Sequence, residues 1–322
     1  MKKSLALIVA VAALVSLSGC SASNSADAVF NGVKQVCKDY VTGSSADSIK
    51  VEGAKGEVPT VSFATPLVSK GVETKVISEG TGPKITGDQL AEFEFVGVNA
   101  GTGKVFQATK FDGTDAVSQY LKAGGSPDFC AALAGVREGS RVAVLFPAKI
   151  AHQNQGIADL EIGPNDGIVF MFDITSVFLP YAVGDEQPAQ SGMPTVVRAT
   201  SGQPGVTIPK TDAPKELKVS TLIQGRGEEV KADQTVEVHY SGFLWKDGSQ
   251  FDSSWQNGQP VDFPLTKGSL IDGFLEALIG QKVGSQVLAV IPPDKGYGNQ
   301  ENGAIPAGST LVFVIDILGV GR

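Results

Sequence analysis

A chain of 322 residues is long enough for two domains of ordinary size, each burying its own core. With 42% hydrophobic and 19% charged residues it has a globular composition, and a net charge of -8 argues against nucleic acid or an acidic membrane surface as partner. Two His and three scattered Cys offer no visible metal site and little from which to build a Ser-His-Asp enzyme, and no cofactor is called for.

The first 19 residues read as a targeting segment. Lys2 and Lys3 form a positive start and Leu5 to Leu17 an apolar run, shorter than the roughly 20 residues that span a bilayer. The run ends Leu17-Ser18-Gly19-Cys20, which resembles a bacterial lipobox. The resemblance implies cleavage before Cys20, a diacylglycerol on its sulfur, and a mature chain held outside the cytoplasm on the bacterial cell membrane. Residues 20–47, rich in Ser, Ala, Asn and Asp, read as a tether with one helical patch, Ala28 to Tyr40, that places Val29, Val33 and Val36 on one face. In an oxidising compartment the remaining pair, Cys37 and Cys130, is a candidate disulfide, the alternative being two separate buried thiols.

From about Ser48 the chain repeats itself. A constant shift of 145 residues carries Asp88-Gln89 to Asp233-Gln234, Gly97 to Gly242, Gly103 to Gly248, Phe106 to Phe251, Phe129 to Phe274 and Pro147 to Pro292. Beyond the prolines the shift becomes 143 and aligns Phe170 with Phe313 and Asp173 with Asp316. Glycines, aromatics and prolines are the residues that set turns and cores, so the pattern is a tandem duplication of one domain. It divides the chain into a first copy, 48–180, a Gly/Pro-rich linker, 181–203, and a second copy, 204–322.

In the second copy, strands are expected near 217–224, 235–243, 250–253, 287–291 and 310–318. One helix is expected near 271–278, where Ile271, Phe274, Leu275 and Leu278 share a stripe and Gly280 ends it. That stripe has only the sheet to pack on, so each copy is α+β, an antiparallel β-sheet wrapped around one short α-helix. The stretch Val236 to Ser254 alternates Val236, Val238 and Tyr240 on one face with Glu237, His239 and Ser241 on the other, turns at Lys246-Asp247-Gly248, and continues into Phe251 and Asp252. His239 is expected in solvent, and Val238, Phe263 and Leu278 in the core.

Taken together, V-H-Y-S-G-F-L-x-x-D-G-x-x-F-D-S-S, S-L-I-D-G-F-x-E-A-L, I-P-P-D-K-G-Y-G and I-P-A-G-S-T-L-V-F-V-I-D-I-L resemble the FKBP-type peptidyl-prolyl cis-trans isomerases, through essentially the whole second copy. The resemblance implies two tandem FKBP-like domains and rotation of X-Pro bonds in unfolded or partly folded exported proteins. Tyr240, Asp252 and Tyr297 would be the catalytic residues, and Phe251, Val261, Leu270, Ile271, Phe274, Ile305 and Phe313 the substrate-binding ones. Macrolides of the FK506 and rapamycin type are implied ligands. No nucleophile, metal or proton relay is required. The helix floor is Phe274 where the family usually has Trp, and a wall position that is often aromatic is Val261.

The same shift turns Tyr240 into Phe95, Asp252 into Gln107, and Leu270-Ile271 into Gly125-Ser126, while Phe106, Phe129 and Phe170 remain. The first copy is therefore expected to keep the fold without the site, as a substrate-holding or scaffold domain. The competing reading is a non-catalytic chaperone or ligand-binding lipoprotein. The overall layout resembles actinobacterial lipoproteins.

Overall fold

The computed structural model describes residues 33, 34, 36–125 and 127–321. The expected signal segment, Cys20 and Ser126 lie outside the described residues. Among the described residues no helix is long and apolar enough to cross a membrane.

The first half opens with α1 (Ser44–Asp47) and a hairpin, β1 (Lys50–Glu52) and β2 (Thr60–Ser62). It continues through β3 (Glu73–Ser78), β4 (Gln89–Asn99), β5 (Val105–Ala108), β6 (Val117–Leu121), α2 (Phe129–Leu133), β7 (Arg141–Phe146), α3 (Ala148–Ala151) and β8 (Ile168–Val177). The second half comprises β9 (Gly184–Glu186), a hairpin of β10 (Thr195–Arg198) and β11 (Pro204–Thr207), then β12 (Lys218–Gly225), β13 (Thr235–Leu244), β14 (Gln250–Ser253), α4 (Ser254–Asn257), β15 (Val261–Pro264), α5 (Asp272–Leu278), β16 (Gln286–Ile291) and β17 (Leu311–Val320).

The repeat seen in the sequence is a repeat of topology. One antiparallel sheet runs β3-β7-β8-β4-β5 with β6 also on β4; the other runs β14-β13-β17-β16-β12-β9 with β15 also on β13. Strand for strand they match, with β9 an addition at one edge. The shift of 145 lays β5 on β14 and β7 on β16, and the shift of 143 lays β8 on β17. Their back faces are covered alike. Lys50 pairs with Ser62 in the first hairpin and Thr195 with Thr207 in the second, again 145 residues on. Val61 and Ile49 close over Val96, Val98 and Met171, while Val196, Val206 and Met193 close over Phe243, Trp245, Leu288 and Val290.

This corrects the reading of 181–203 as a featureless linker. The stretch carries β9, which adds to the second sheet through Ile223, and β10, half of the covering hairpin. Its start is also stitched to β17: the Ala182 N–H donates to Asp316 Oδ2 at 2.8 Å, and just before the stretch the Leu179 N–H donates to the Leu318 carbonyl at 3.0 Å. The helical patch expected over Ala28 to Tyr40 is not found in its described part. Residues 33, 34 and 36–40 are not helical, because the Val36 and Cys37 amides both donate to the Thr86 carbonyl and Cys37 is bonded to Cys130. The disulfide, with a Cα–Cα distance of 5.6 Å, ties the chain's entry to α2.

Helix α5 shows how so short an element is held. It buries Gly273, Phe274, Ala277 and Leu278 against β16, and a Cβ on Gly273 would collide with the Ile291 side chain, so only glycine permits the approach. A seven-residue helix has little intrinsic stability, and its packing on the sheet supplies what propensity does not.

Candidate functional site

The concave side of the second sheet faces α5 across a cavity of about 560 Å³. Alternation along β13 sends Val236 and Val238 into the core beneath it and leaves Tyr240 half-buried in its wall. Strict alternation cannot send both Phe251 and Asp252 to the same side, since they are consecutive. The pairing of β13 with β14 resolves this: Gly242 opposes Asp252 and Phe243 opposes Gln250, so Phe251 is the extra residue of a β-bulge. The bulge re-aims Phe251, and both side chains line the cavity. Gly242 is required for the same reason, since a Cβ there would lie 2.5 Å from the Phe251 ring and 2.9 Å from the Phe313 ring.

Five aromatic rings meet at the base. Phe274 stands edge-on beneath Tyr240, Phe263 and Phe313, with centroids 6.3, 5.3 and 5.1 Å away, and Phe251 packs edge-on against Phe313 at 5.5 Å. Leu270 and Ile271, just before α5, and Tyr297, in the loop after β16, complete the wall.

The polar groups on β13 and β14 are fixed. The Tyr240 hydroxyl donates to Asp252 Oδ2 in a short hydrogen bond. The other carboxylate oxygen, Oδ1, accepts the Ser253 N–H at 2.8 Å, so the carboxylate is pinned from both sides. Burial, together with that hydrogen bond, raises the Tyr240 phenol above its usual pKa, so it remains a donor at physiological pH. Behind the wall, Ser254 Oγ accepts the Tyr240 N–H at 2.8 Å and bonds to His239 Nδ1 at 2.9 Å. His239 in turn stacks on Trp255 at 3.8 Å. His239 is therefore not in solvent as expected. It is 3% exposed, and burial pushes its pKa down to about 4. The F-D-S-S-W segment thus does two jobs: it presents Phe251 and Asp252 forward and braces the Tyr240 backbone from behind.

Of the residues singled out in the sequence, Tyr240, Asp252, Tyr297, Phe251, Leu270, Ile271, Phe274 and Phe313 come together around one cavity. Two do not line it. Ile305 is buried in the core cluster, and Val261 pairs with Val238 on β15. Phe263, expected in the core, packs against it and also lines the cavity, as do Asp294, Lys295 and Gly296 at the rim, where Lys295 bonds to Glu276 at 2.6 Å. The signal for Phe263 was the alternation V-D-F, too short beside Pro264 to read as a strand.

The corresponding place in the first half is filled by rings. Phe129 packs edge-on against Phe146, Phe170 and Phe172, with centroids 5.3, 5.8 and 6.0 Å away. Phe146 and Phe172 stand where the second half has the smaller Ile291 and Ile315. Phe95, in place of Tyr240, is buried and has no hydroxyl. His152, the nearest candidate counterpart of Tyr297, is used up internally: its Nδ1 accepts the Gly156 N–H at 2.9 Å and its Nε2 lies 2.7 Å from the Asp166 carbonyl.

Residues 227–318 match the family model of the FKBP-type peptidyl-prolyl cis-trans isomerases. A probable FK506-binding protein of Corynebacterium glutamicum is 41% identical over 116 residues, which are 36% of this chain and 97% of that protein. The chain belongs to the FKBP-type peptidyl-prolyl cis-trans isomerases. An FK506-binding protein of Streptomyces anulatus is 37% identical over 120 residues, 37% of this chain and 97% of that protein. The crystal structure of FkpA from Escherichia coli aligns with 41% of this chain and 53% of that one, at 34% identity and a TM-score of 0.32. The three FKBP domains of wheat FKBP73 align with 78% of this chain and 95% of that one, at 20% identity and a TM-score of 0.34. The family match begins just after β12 and holds every residue that lines the cavity.

Proposed function

We propose that the second half turns X-Pro bonds of exported polypeptides by a non-covalent mechanism, and that the first half holds client chain without catalysing. The observation that carries this is the pairing of an aromatic-walled cavity with the pinned Asp252 carboxylate at its edge. Rotation about an X-Pro amide must break resonance, at a barrier of about 18–20 kcal/mol. The planar amide is the more charge-separated form, so removing water from it raises the ground state relative to the twisted state. Phe251, Phe274 and Phe313 enclose the pyrrolidine ring. Tyr297, through its hydroxyl, and Ile271, through its backbone N–H ahead of α5, hold substrate carbonyls. Asp252, held by Tyr240 and Ser253, polarises the amide as it turns. FK506-type macrolides, named in the relatives, compete for the same cavity.

The place of action proposed is the outer side of a bacterial membrane, with Cys20 as the lipid-bearing residue. The motif Leu17-Ser18-Gly19-Cys20 supports this, and so does the Cys37–Cys130 disulfide, which persists in oxidising compartments. The test is exchange spectroscopy on a short X-Pro peptide with the full chain. The parent protein is expected to speed exchange, and Asp252→Ala and Tyr240→Phe to slow it. Exchange as slow as in buffer alone, with the peptide bound, leaves a proline-binding chaperone instead.

A further inference from the structure

A second cavity, of about 510 Å³, opens where the two halves meet, with β4 and β6 on one side and β13 and the stretch 259–262 on the other. Its apolar walls are Leu90, Phe178 and Pro260, and its charged lining is Glu92, Glu237 and Asp262. None of the residues lining it is basic. Glu92 and Glu237 are the same position of the two copies, 145 residues apart, so the duplication brings equivalent carboxylates to one cleft. They are not equivalently satisfied. Glu92 accepts from the Ser118 hydroxyl at 3.2 Å, whereas Glu237, only 7% exposed, has no hydrogen-bond or ion-pair partner among the described residues.

A largely buried carboxylate beside two more carboxylates is costly, and a cation entering the cleft relieves that cost. A metal ion does not fit. The carboxylates whose oxygens converge closely enough for one, among the described residues, are Glu94, Asp112 and Asp115 elsewhere in the first half. In the cleft the charges are spread along apolar walls, which suits a long side chain with an aliphatic stem and a charged end.

We infer that this interdomain cleft binds the guanidinium or alkylammonium side chain of an Arg or Lys in a client polypeptide, with Glu237 as the central acceptor and Glu92 and Asp262 flanking it. The stem lies on Leu90, Phe178 and Pro260, and the head replaces the missing donors of Glu237. Burial, then Asp262 and Glu92, raises the Glu237 pKa to about 7, so the empty cleft takes up a proton as pH falls and the bound one excludes it. This assignment does not depend on the proline cavity, which opens on the other face of the sheet.

The test is calorimetric titration of the full chain at pH 8 with the blocked tripeptide Ac-Ala-Arg-Ala-amide, its norleucine counterpart and agmatine. Saturable binding of the arginine peptide is expected, with none of the norleucine peptide. Glu237→Gln and, at the exposed edge, Asp262→Asn should each weaken it about tenfold or more while X-Pro turnover stays unchanged. Lowering the pH to 5.5 should weaken it likewise. Equal binding of the two peptides, or affinity unmoved by both variants, overturns the site. Agmatine binding about tenfold tighter than the peptide overturns the assignment to a polypeptide side chain.

Discussion

The Tyr240 hydroxyl donates to the Asp252 carboxylate across the mouth of the aromatic cavity, joining strands β13 and β14 side chain to side chain. The equivalent pair in the first half is Phe95 and Gln107, which cannot make this bond. A hydrogen bond to a charged group is worth about 1.5–3 kcal/mol. Tyr240→Phe is expected to lower kcat/KM on an X-Pro peptide by about tenfold to a hundredfold and to lower the melting temperature by a few degrees. Exchange spectroscopy beside a thermal melt checks both.

Gly242 offers a purely steric handle on the same site. Gly242→Ala places a methyl group against the Phe251 and Phe313 rings. Overpacking of this kind costs about 1–3 kcal/mol, and here the strain falls on the cavity wall. The expected outcome is a raised KM and weaker macrolide binding, read by peptide turnover and by calorimetric titration.

His239 gives an acid limb to stability. Its folded pKa is about 4, against a usual value of 6.5, so the unfolded chain binds the extra proton between those values. Stability due to neutral, buried His239 is present above pH 6.5 and is lost as pH falls toward 4, by up to about 3 kcal/mol. His239→Gln should be less stable than the parent at pH 7, and the gap should close on acidification. Chemical denaturation at several pH values tests this, and a gap independent of pH contradicts it.

Glu237 works in the opposite sense. Its pKa rises from 4.5 unfolded to about 7 folded, so the stability it carries is complete below pH 4.5 and lost as pH rises through 7. Glu237→Gln should be more stable than the parent at pH 8, and the gain should vanish at pH 4. The same denaturation series reads it.

The Cys37–Cys130 bond closes a separation of 93 residues, enough to restrict the unfolded chain by about 4–5 kcal/mol. Reduction, or Cys37→Ser with Cys130→Ser, should lower the melting transition of the first half while leaving X-Pro turnover intact. Calorimetry with and without reductant separates the two.

Much of this was legible in the chain because duplication marks what the fold needs. Gly97 and Gly242 recur because each faces a bulged phenylalanine, Phe106 or Phe251, and Asp173 and Asp316 recur because each is buried and must be bonded. The partners differ. Arg141 pairs with Asp173 at 2.7 Å, whereas Gln286 donates to Asp316 at the same distance. What stayed hidden lay beyond local pattern. Alternation told which face of β13 carries His239, but not that Trp255 covers that face. The hairpin β10–β11 is too short, and too rich in Gly and Pro, to announce itself, and becomes visible only beside β1–β2. The bulge at Phe251 is a property of pairing, not of either strand alone.

The most direct test compares the two halves within the full chain. Asp252→Ala with Tyr240→Phe changes the second site, and Gln107→Ala makes the matching change at an exposed position of the first. Rates of cis–trans exchange of one X-Pro peptide should fall toward the uncatalysed value in the former and match the parent in the latter. Equal loss in both, or full activity in the double variant, would contradict a catalytic site confined to the second half.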